Sequence, residues 1–589
     1  MNDDVQKELW PLLTKVKHPS RYAGGEWGAL PPKDNAPVRV CLAFPDVYEV
    51  GMSYLGFQIL YALVKEMDRA DAERAYCPWV DMEAAMREAN APLRSLEGGR
   101  VLRDFDVLGF TLQYELCGTN ILTMLDLGGV PLRSGDRGDG DPIVIAGGPC
   151  ALSPAPFEKF FDAFCVGDGE VILPELLRTL GELKGAGRAE KLSAVSKVSG
   201  VYVPGFSSSP VRRVILGKLD GGFIHNTMIV PNGKTIHDRI VAQVFRGCTR
   251  GCRFCHAGMT DRPTRERSAK SVASQTEALI SYTGWEEVGL LSLATCDWSG
   301  LGEFLELIGP TLERGNIKLS MPSLRMDAFS VELAPRLEGM RRGGLTFAPE
   351  AGSERLRRVI NKGLSGSDIA AALDAAFKHG WERVKLYFMM GLPTETEKDL
   401  DDIVTMAENS VRSARANKRK GDISVSLAGF VPKPHTPFQW EPQASREQLR
   451  ERGRYVKSRI RSKKISLSYH EPNQTFMEGV FSRGDAKLAD AIEEAWRRGA
   501  RFDGWTECFD FGRWEGVFRD LGTDTDWYTT RARAADEPLP WDMIDAGVTK
   551  SYLMNERNLA FSETETRDCR NGECNACGWE NFCSRGGEV

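Results

Sequence analysis

Short apolar runs alternate with helical segments along most of the chain. The first apolar run extends from Val38 to Pro45, and two more follow at Asp106 to Leu112 and Pro142 to Pro149. Between the first two runs, apolar residues recur with helical spacing from about Leu55 to Met67. Strands that alternate with helices predict a parallel sheet whose ligand crevice lies beyond the carboxyl ends of the strands. We therefore expect a doubly wound, Rossmann-like α/β domain over residues 36–190, after a polar lead-in over 1–35.

The rest of the chain divides into three further regions. Residues 191–235 are rich in Val, Gly, Ser and Pro, and their short alternating runs predict a β-rich connector. Over residues 236–465 six candidate strands alternate with helical segments: IVAQVF, VGLLSL, IKLSMP, GLTFAP, VKLYFMM and ISVSLAGF. Six successive βα units indicate a TIM-type barrel, complete or partial, with its working residues at the carboxyl ends of the strands. Over residues 466–589 the pattern weakens, and we expect a smaller α+β region.

Composition and charge exclude several classes of partner. With 589 residues, 42% of them hydrophobic, the chain has room for roughly three or four domains. A net charge of -6 provides no broad electrostatic surface for nucleic acid or an anionic membrane, and no apolar run is long enough to span a bilayer. The basic runs near Lys418 and Lys463 are interpreted as solvated helix faces, with an RNA contact as the alternative. We expect a cytoplasmic protein that does not bind membranes.

Three cysteines follow the first strand of the predicted barrel within eight residues. Cys248, Cys252 and Cys255 have the spacing C-x3-C-x2-C, and two glycines, Gly247 and Gly251, allow the loop to wrap closely around a metal centre. The alternatives are a zinc site and three core cysteines. Zinc normally takes four ligands, and the neighbouring histidine is too close to Cys255 to chelate easily beside it.

This spacing, with the aromatic Phe254 between the second and third cysteines, resembles the signature of the radical S-adenosylmethionine superfamily. In that family three cysteines hold a [4Fe–4S] cluster, and S-adenosylmethionine chelates the iron that they leave open. The reduced cluster then breaks a carbon–sulfur bond and a 5′-deoxyadenosyl radical forms. The resemblance implies that Cys248, Cys252 and Cys255 hold the catalytic cluster, that Phe254 lies beside the cofactor, and that a donor such as flavodoxin or ferredoxin supplies the electron.

Other strand ends of the barrel resemble those of methylthiotransferase-like radical enzymes. The resemblance places Ser323, Arg325, Glu350 and Gly391 beside S-adenosylmethionine, with Gly391 in the segment that passes near adenine. In physical terms, Arg325 could pair with the cofactor carboxylate, and Glu350 could accept a hydrogen bond from a ribose hydroxyl or an ammonium group. Surface ion pairs are the alternative interpretation of these charged residues.

The amino-terminal region resembles the cobalamin-binding domain that is fused to many radical enzymes. The resemblance covers residues 36–185, and its best-matched segments contain Gly147, Gly148 and the run Gly167 to Glu170. One departure is that no histidine lies between His18 and His225, so the D-x-H-x-x-G loop that ligates cobalt in other cobalamin proteins is absent. Any corrinoid would be bound without a histidine from this domain. The alternative is a Rossmann-like domain that kept the fold and lost the cofactor.

The chain ends in a second cysteine cluster. Cys569, Cys574, Cys577 and Cys583 have the spacing C-x4-C-x2-C-x5-C. Four thiolates close a coordination sphere, and a structural zinc and an auxiliary iron–sulfur cluster fit this spacing equally well. The whole arrangement resembles a group of fused radical S-adenosylmethionine proteins that carry this amino-terminal domain and a cysteine-rich tail.

These observations predict a radical S-adenosylmethionine enzyme of unassigned substrate. If cobalamin binds, methyl transfer to an unactivated carbon is the favoured reaction, because a corrinoid can carry the methyl group. A first alternative is a cobalamin-free radical enzyme that modifies RNA or protein and is related to the methylthiotransferases. A second alternative, from another class, is a non-catalytic metal-binding scaffold.

Overall fold

The amino-terminal part of the molecule is built on a six-stranded sheet. The computed structural model describes residues 3–321, 326 and 345–584. The strand order of the first sheet is β2-β1-β3-β4-β5-β6, with β1 to β5 parallel and β6 antiparallel to β5. The strands are β1 (Val38–Phe44), β2 (Ala70–Tyr76), β3 (Val107–Thr111), β4 (Ile143–Gly147), β5 (Ala163–Cys165) and β6 (Val201–Tyr202).

Both faces of this sheet are covered, as a doubly wound fold requires. Alternate residues of β1 belong to two different apolar cores: Val40 and Leu42 pack on one face, while Cys41 and Ala43 pack on the other. The helices of this part are Asp3–Leu13, Tyr48–Met52, Leu55–Glu66, Val80–Ala89, Gly118–Leu127, Gly169–Glu182 and Arg188–Val195. The predicted strands β1, β3 and β4 and the predicted helix after β1 are confirmed, whereas β2 and β5 were not predicted.

The segment after this sheet has little regular structure. Residues 191–235 are all described, and their only strands are β6 and β7 (Val211–Arg212), which have two residues each. The segment is therefore mostly irregular rather than β-rich, because its Pro, Gly and Ser residues interrupt strand pairing.

Among the described residues, the second half of the fold contains seven parallel strands in two sheets. One sheet has the order β12-β11-β8 and the other β13-β14-β15-β16. The six predicted strands are present, and β16 is a seventh that was not predicted. A short antiparallel pair, β9 and β10, lies next to β8 in the chain. The strands are β8 (Ile240–Gln243), β9 (Phe245–Arg246), β10 (Arg265–Glu266), β11 (Glu287–Leu291), β12 (Lys318–Ser320), β13 (Leu345–Glu350), β14 (Arg383–Met390), β15 (Asp422–Gly429) and β16 (Ile465–Tyr469).

Helices connect the barrel strands, and several begin with clear start signals. Ser365, Thr396 and Ser445 each form a capping box with the residue three positions later, which satisfies backbone N–H groups that the first helical turn leaves unpaired. The helices are His256–Thr260, Ala269–Thr283, Leu301–Arg314, Glu354–Val359, Gly366–Lys378, Glu397–Ala416 and Arg446–Arg459.

The carboxyl-terminal region is mainly helical and packs on the amino-terminal sheet. The Ile492 side chain packs against Gly118, where a Cβ atom would lie only 3.1 Å from it. The Thr119 hydroxyl donates a 2.7 Å hydrogen bond to Asp503. The helices are Pro472–Ser482, Leu488–Arg497, Phe511–Asp520, Thr525–Tyr528, Lys550–Phe561 and Glu580–Ser584, and β17 (Ile544–Asp545) pairs with β7. In the part of the chain that the structure describes, no helix combines the length and apolar character of a membrane span.

Candidate active site

The loop that carries the first three cysteines is closed at its base by strand pairing. Arg246 of β9 pairs with Arg265 of β10, so the residues between them form a loop just beyond β8. Gly247, the first residue of this loop, has φ +83°, and a Cβ atom there would overlap the carbonyl oxygen of Pro263. The close approach of the backbone therefore requires glycine.

The three thiols of this loop lie close enough to influence one another. Burial raises the pKa of Cys255 to about 12, and the neighbouring Cys252 and Cys248 thiols raise it further. The Cys255 sulfur accepts a 3.2 Å hydrogen bond from the backbone N–H of Gly258. Among the described residues, no three His, Cys, Asp or Glu side chains already converge as metal ligands. The donor set is nevertheless three thiols on one loop, which suits an iron–sulfur cluster with one open iron better than a closed four-ligand zinc site.

Residues of the carboxyl-terminal segment fix this loop through hydrogen bonds and an ion pair. Arg253 is fully buried and donates to Glu556 at 3.0 Å and to the carbonyl of Thr564 at 2.8 Å. The Asn361 side chain donates to the carbonyl of Gly251 at 3.1 Å and accepts from the N–H of Thr566 at 2.9 Å. The loop is therefore positioned by residues that are about 100 and 300 positions away in the chain.

The four tail cysteines lie near one another and near the first loop, although among the described residues they do not already converge as a set of metal ligands. Burial raises the pKa of Cys583, and the thiols of Cys577, Cys569 and Cys574 raise it further. The Arg262 guanidinium, which follows the first cysteine loop, bonds Cys577 and also lies near Cys569. The chemistry of this set, four thiols near a cation, fits a metal bound entirely by thiolates.

A cavity of about 700 Å³ separates the amino-terminal sheet from the barrel. Gly147, Gly148 and the run Gly167 to Glu170 line one side, and Gly247 and residues 289–293 line the other. Gly148 has φ +101°, and a Cβ there would lie 2.9 Å from the carbonyl oxygen of Leu112. The volume of this cavity lies in the range typical of small-molecule and cofactor sites. Its size and the glycines in its wall fit a large planar group that approaches the backbone.

Ion pairs at the edge of this cavity join the two halves of the fold. Asp168 contacts Arg265 and also Arg246 at 3.4 Å, and Glu170 contacts Arg246. Burial alone would raise the pKa of Asp168, but the two guanidinium groups outweigh it and hold the pKa below its usual value. The loop between β5 and the following helix is therefore fixed to the base of the cysteine loop.

The remaining predicted residues have different locations. Lys362 connects two of them, because its ammonium group lies 6.0 Å from the ring centre of Phe254 and donates to Glu350 at 3.2 Å. Gly391 instead lines a separate cavity of about 690 Å³, where its N–H donates to Glu395. Ser323 and Arg325 lie outside the described residues.

The sequence analysis did not identify several polar residues near the site. His237, just before β8, lines the large cavity. Glu115, Lys433 and Glu478 line a smaller cavity of about 180 Å³ that also contains His256, the residue after Cys255. The sequence gives little signal for this group, because Glu115 lies more than 300 positions before Lys433 and Glu478 in the chain.

Comparisons with known families match two segments that together make up about half of the chain. A family model described as "Radical SAM proteins, N-terminal" matches residues 56–204, and one described as "Radical SAM superfamily" matches residues 243–407. The second match includes Cys248, Cys252 and Cys255.

Relatives and a solved structure extend these matches. The uncharacterized protein MJ0966 of Methanocaldococcus jannaschii is 27% identical over 460 residues, which is 77% of this chain and 90% of its own length. MJ0865 of the same archaeon, provisionally named a methylthiotransferase, is 23% identical over 201 residues, 33% of this chain and 42% of its own length. The methyltransferase TsrM of Kitasatospora setae, solved with cobalamin and a [4Fe–4S] cluster, is 13% identical with a TM-score of 0.50 over 78% of this chain and 98% of its own. This likeness shows a shared fold.

Proposed function

Because this chain is an enzyme of the radical S-adenosylmethionine superfamily with a cobalamin-binding-like amino-terminal region, we propose that it cleaves S-adenosylmethionine at a cluster held by Cys248, Cys252 and Cys255. A non-catalytic scaffold is therefore not retained. When bound there, a [4Fe–4S] cluster supplies the electron, received from a donor such as flavodoxin or ferredoxin, that converts S-adenosylmethionine into methionine and a 5′-deoxyadenosyl radical.

The residues of this chain provide the binding, the positioning and the exclusion of water. The three thiols, once deprotonated, bind iron. Asn361 fixes the loop by its hydrogen bond to the loop backbone, and Arg253, a buried residue of the loop, fixes it by its ion pair with Glu556. The large cavity borders Gly247, the residue before Cys248, and continues between the two sheets, so that a molecule bound in it would have protein on both sides. Enclosure matters because a carbon radical must meet the substrate before it meets another hydrogen donor.

One observation carries the proposal. The three-cysteine loop lies at the carboxyl end of the first barrel strand and borders the cavity that the barrel shares with the amino-terminal sheet. In barrels this end of the strands is where active sites form, and in doubly wound sheets it is where ligands bind. Both halves of the fold therefore direct their ligand-binding edges at one space.

We test the open iron by anaerobic reconstitution followed by electron paramagnetic resonance of the reduced protein. Addition of S-adenosylmethionine is expected to change the spectrum, because the cofactor becomes a ligand of the fourth iron. Cys252→Ala should lose most of the cluster iron, whereas Cys508→Ala, which removes a cysteine outside both clusters, should retain it. An unchanged spectrum, or zinc in place of iron at the three cysteines, contradicts the proposal.

We further propose that the large cavity binds a corrinoid and that the reaction is methyl transfer to an unactivated carbon. A corrinoid, when bound, supplies a carrier for the methyl group. The glycines at the strand ends support this, as does the fold shared with TsrM. The amino-terminal domain offers no histidine to cobalt, so any histidine ligation seen in the corrinoid spectrum would have to come from His237, which lines the cavity just before β8. Absence of corrinoid after reconstitution with hydroxocobalamin contradicts this part alone.

A second candidate is a cobalamin-free radical enzyme that modifies RNA or protein. The provisional methylthiotransferase name of MJ0865, which aligns over a third of this chain, favours it. Salt-sensitive binding of tRNA by corrinoid-free protein would support this candidate over methyl transfer.

For the tail we propose a second metal centre at Cys569, Cys574, Cys577 and Cys583. The mutual influence of these four thiols and the position of Arg262 support it. Either zinc or an iron–sulfur cluster satisfies the donor set. Metal analysis of the Cys574→Ala variant distinguishes them, because iron content falls if the tail holds a cluster and zinc content falls if it holds zinc. If neither metal is lost, the proposal of a tail centre is contradicted.

A further inference from the structure

The cavity of about 180 Å³ beside the first cysteine loop is a separate polar site. Besides the cysteine loop, it is lined by residues from four regions: the turn after β3, the segment after β4, the turn after β15 and the helix Pro472–Ser482. His256, which directly follows Cys255, forms part of its wall. With about 30 Å³ for each water, the cavity has room for about six waters. This space accommodates a small polar group but not a corrin or an adenosyl group.

The charges in this cavity do not balance. Lys433 pairs with Glu115 at 2.5 Å and with Glu478 at 2.7 Å, so that one ammonium group lies between two carboxylates. Burial raises the pKa of Glu115, while Lys433 opposes that rise and draws its own stabilisation from the two carboxylates. With Lys433 and both carboxylates ionised the cavity carries one excess negative charge, and because the pKa of Glu115 is raised, this ionised state is favoured only when a further cation lies beside it.

The cavity also contains hydrogen-bond acceptors that are not fully used. Within the described residues, the Ser482 hydroxyl is buried, with 1% exposure, and has no hydrogen-bond partner. The side-chain oxygen of Gln113 is also buried without a partner. The second oxygen of Glu478 accepts only a long 3.5 Å contact from the Tyr114 hydroxyl. Glu478 and Ser482 are four residues apart in one helix, so their side chains share a face.

We propose that this cavity is a substrate subsite that binds the ammonium group of a small amine-bearing substrate. An ammonium has three N–H donors and one positive charge, which matches three underused acceptors and one excess negative charge. A buried acceptor left without a partner costs about 1–3 kcal/mol, so a ligand that displaces water from this cavity must itself donate hydrogen bonds to these acceptors, as an ammonium group does. The assignment rests on the proposed function, because it names the substrate group that is held beside the radical cluster.

The test uses the reconstituted full-length protein with its cluster oxidised and n-propylammonium as the probe. Saturation-transfer NMR should show binding of this cation and none of propionate, an anion of similar size. Glu478→Gln should reduce the transferred signal at least fivefold, and Ser482→Ala two- to threefold, while Glu515→Gln on the surface leaves it unchanged. Circular dichroism checks that each variant is folded.

The inference is overturned by no transfer to n-propylammonium, by preference for propionate, or by equal transfer in wild type and in both cavity variants. S-Adenosylmethionine also carries an ammonium group, so the probe is measured again with excess cofactor. A retained signal supports a substrate subsite, and complete displacement assigns the site to the cofactor and overturns it. If wild type cleaves S-adenosylmethionine but binds no probe, only this inference fails. If wild type does not cleave it, the proposed function fails.

Discussion

At the residue scale, the account depends on small features of the cysteine loop. Glycine is required where the chain turns from β9 into the loop, because the backbone of Gly247 has a left-handed conformation against Pro263. Thiols supply the metal ligands, and a neighbouring asparagine and arginine hold the backbone. Each of these contributions can be tested by a single substitution.

Gly247→Ala is expected to reduce cluster iron at least threefold. A left-handed alanine costs about 1–2 kcal/mol, and its Cβ overlaps the Pro263 carbonyl, so that the loop must move. Iron per chain after anaerobic reconstitution measures the effect. Gly221→Ala is the control, because a Cβ there meets no atom within 4 Å. Equal iron in the two variants would show that the loop tolerates the movement.

Glu395, which accepts a hydrogen bond from Gly391, is expected to make stability depend on pH. Burial raises its pKa to about 7, and within the described residues its second oxygen has no partner, so this oxygen can hold the proton. The folded chain then binds this proton more tightly than the unfolded chain. The stabilisation is fully present below about pH 4.5 and is lost as the pH rises through about 7, a change of at most about 3 kcal/mol.

Urea unfolding at pH 5 and pH 8 measures this pH-dependent contribution of Glu395 to the free energy of unfolding. Glu395→Gln should show a smaller loss of stability between the two pH values than wild type, while the surface variant Glu515→Gln behaves like wild type. A pH dependence that is the same in all three proteins would contradict the assignment.

At the residue scale, the sequence can group side chains into one candidate site only where they are neighbours in the chain. The two cysteine clusters are local motifs, and a reader of the sequence can group their members. Glu115 and Lys433 are 318 positions apart, and nothing in either segment indicates the other. Similarly, the sequence did not indicate that Glu350 pairs with Lys362, and the contact of Glu350 with the cofactor stays a prediction.

At the scale of elements, the helix Lys550–Phe561 and the segment after it support the cysteine loop. Glu556→Ala would leave the Arg253 guanidinium buried without its carboxylate, and such changes cost about 3–5 kcal/mol. We expect a lower midpoint of thermal unfolding and faster loss of cluster iron to a chelator. Lys550→Ala, an exposed change at the start of the same helix, is the control. Equal rates of iron loss in the two variants would exclude this supporting role.

Strand β2 shows why some elements could not be predicted. Its sequence, ADAERAY, has three charged residues and no apolar run, yet all seven positions are buried. The charges are accommodated because Lys65 pairs with Asp71 at 2.7 Å, and Arg74 pairs with Glu97 and Glu26. Its partners come from other segments, so the pattern of the strand itself contains no sign of burial.

At the scale of the whole molecule, the cavity between the two sheets is the main feature that sequence could not provide. The alternation of strands and helices predicted both α/β parts, because periodicity is a local property. The way the two parts face each other depends on contacts such as Asp168 with Arg265, between residues 97 positions apart. These contacts direct the glycine-rich edge of one sheet at the cysteine loop of the other.

The central claim is that this chain breaks S-adenosylmethionine homolytically at the first three cysteines. The most direct measurement is 5′-deoxyadenosine formed per chain after anaerobic reduction in the presence of S-adenosylmethionine. The account predicts formation by wild type and by Cys508→Ala, and at least a hundredfold less by Cys252→Ala. No 5′-deoxyadenosine from iron-loaded wild type, or an equal amount from Cys252→Ala, would contradict it.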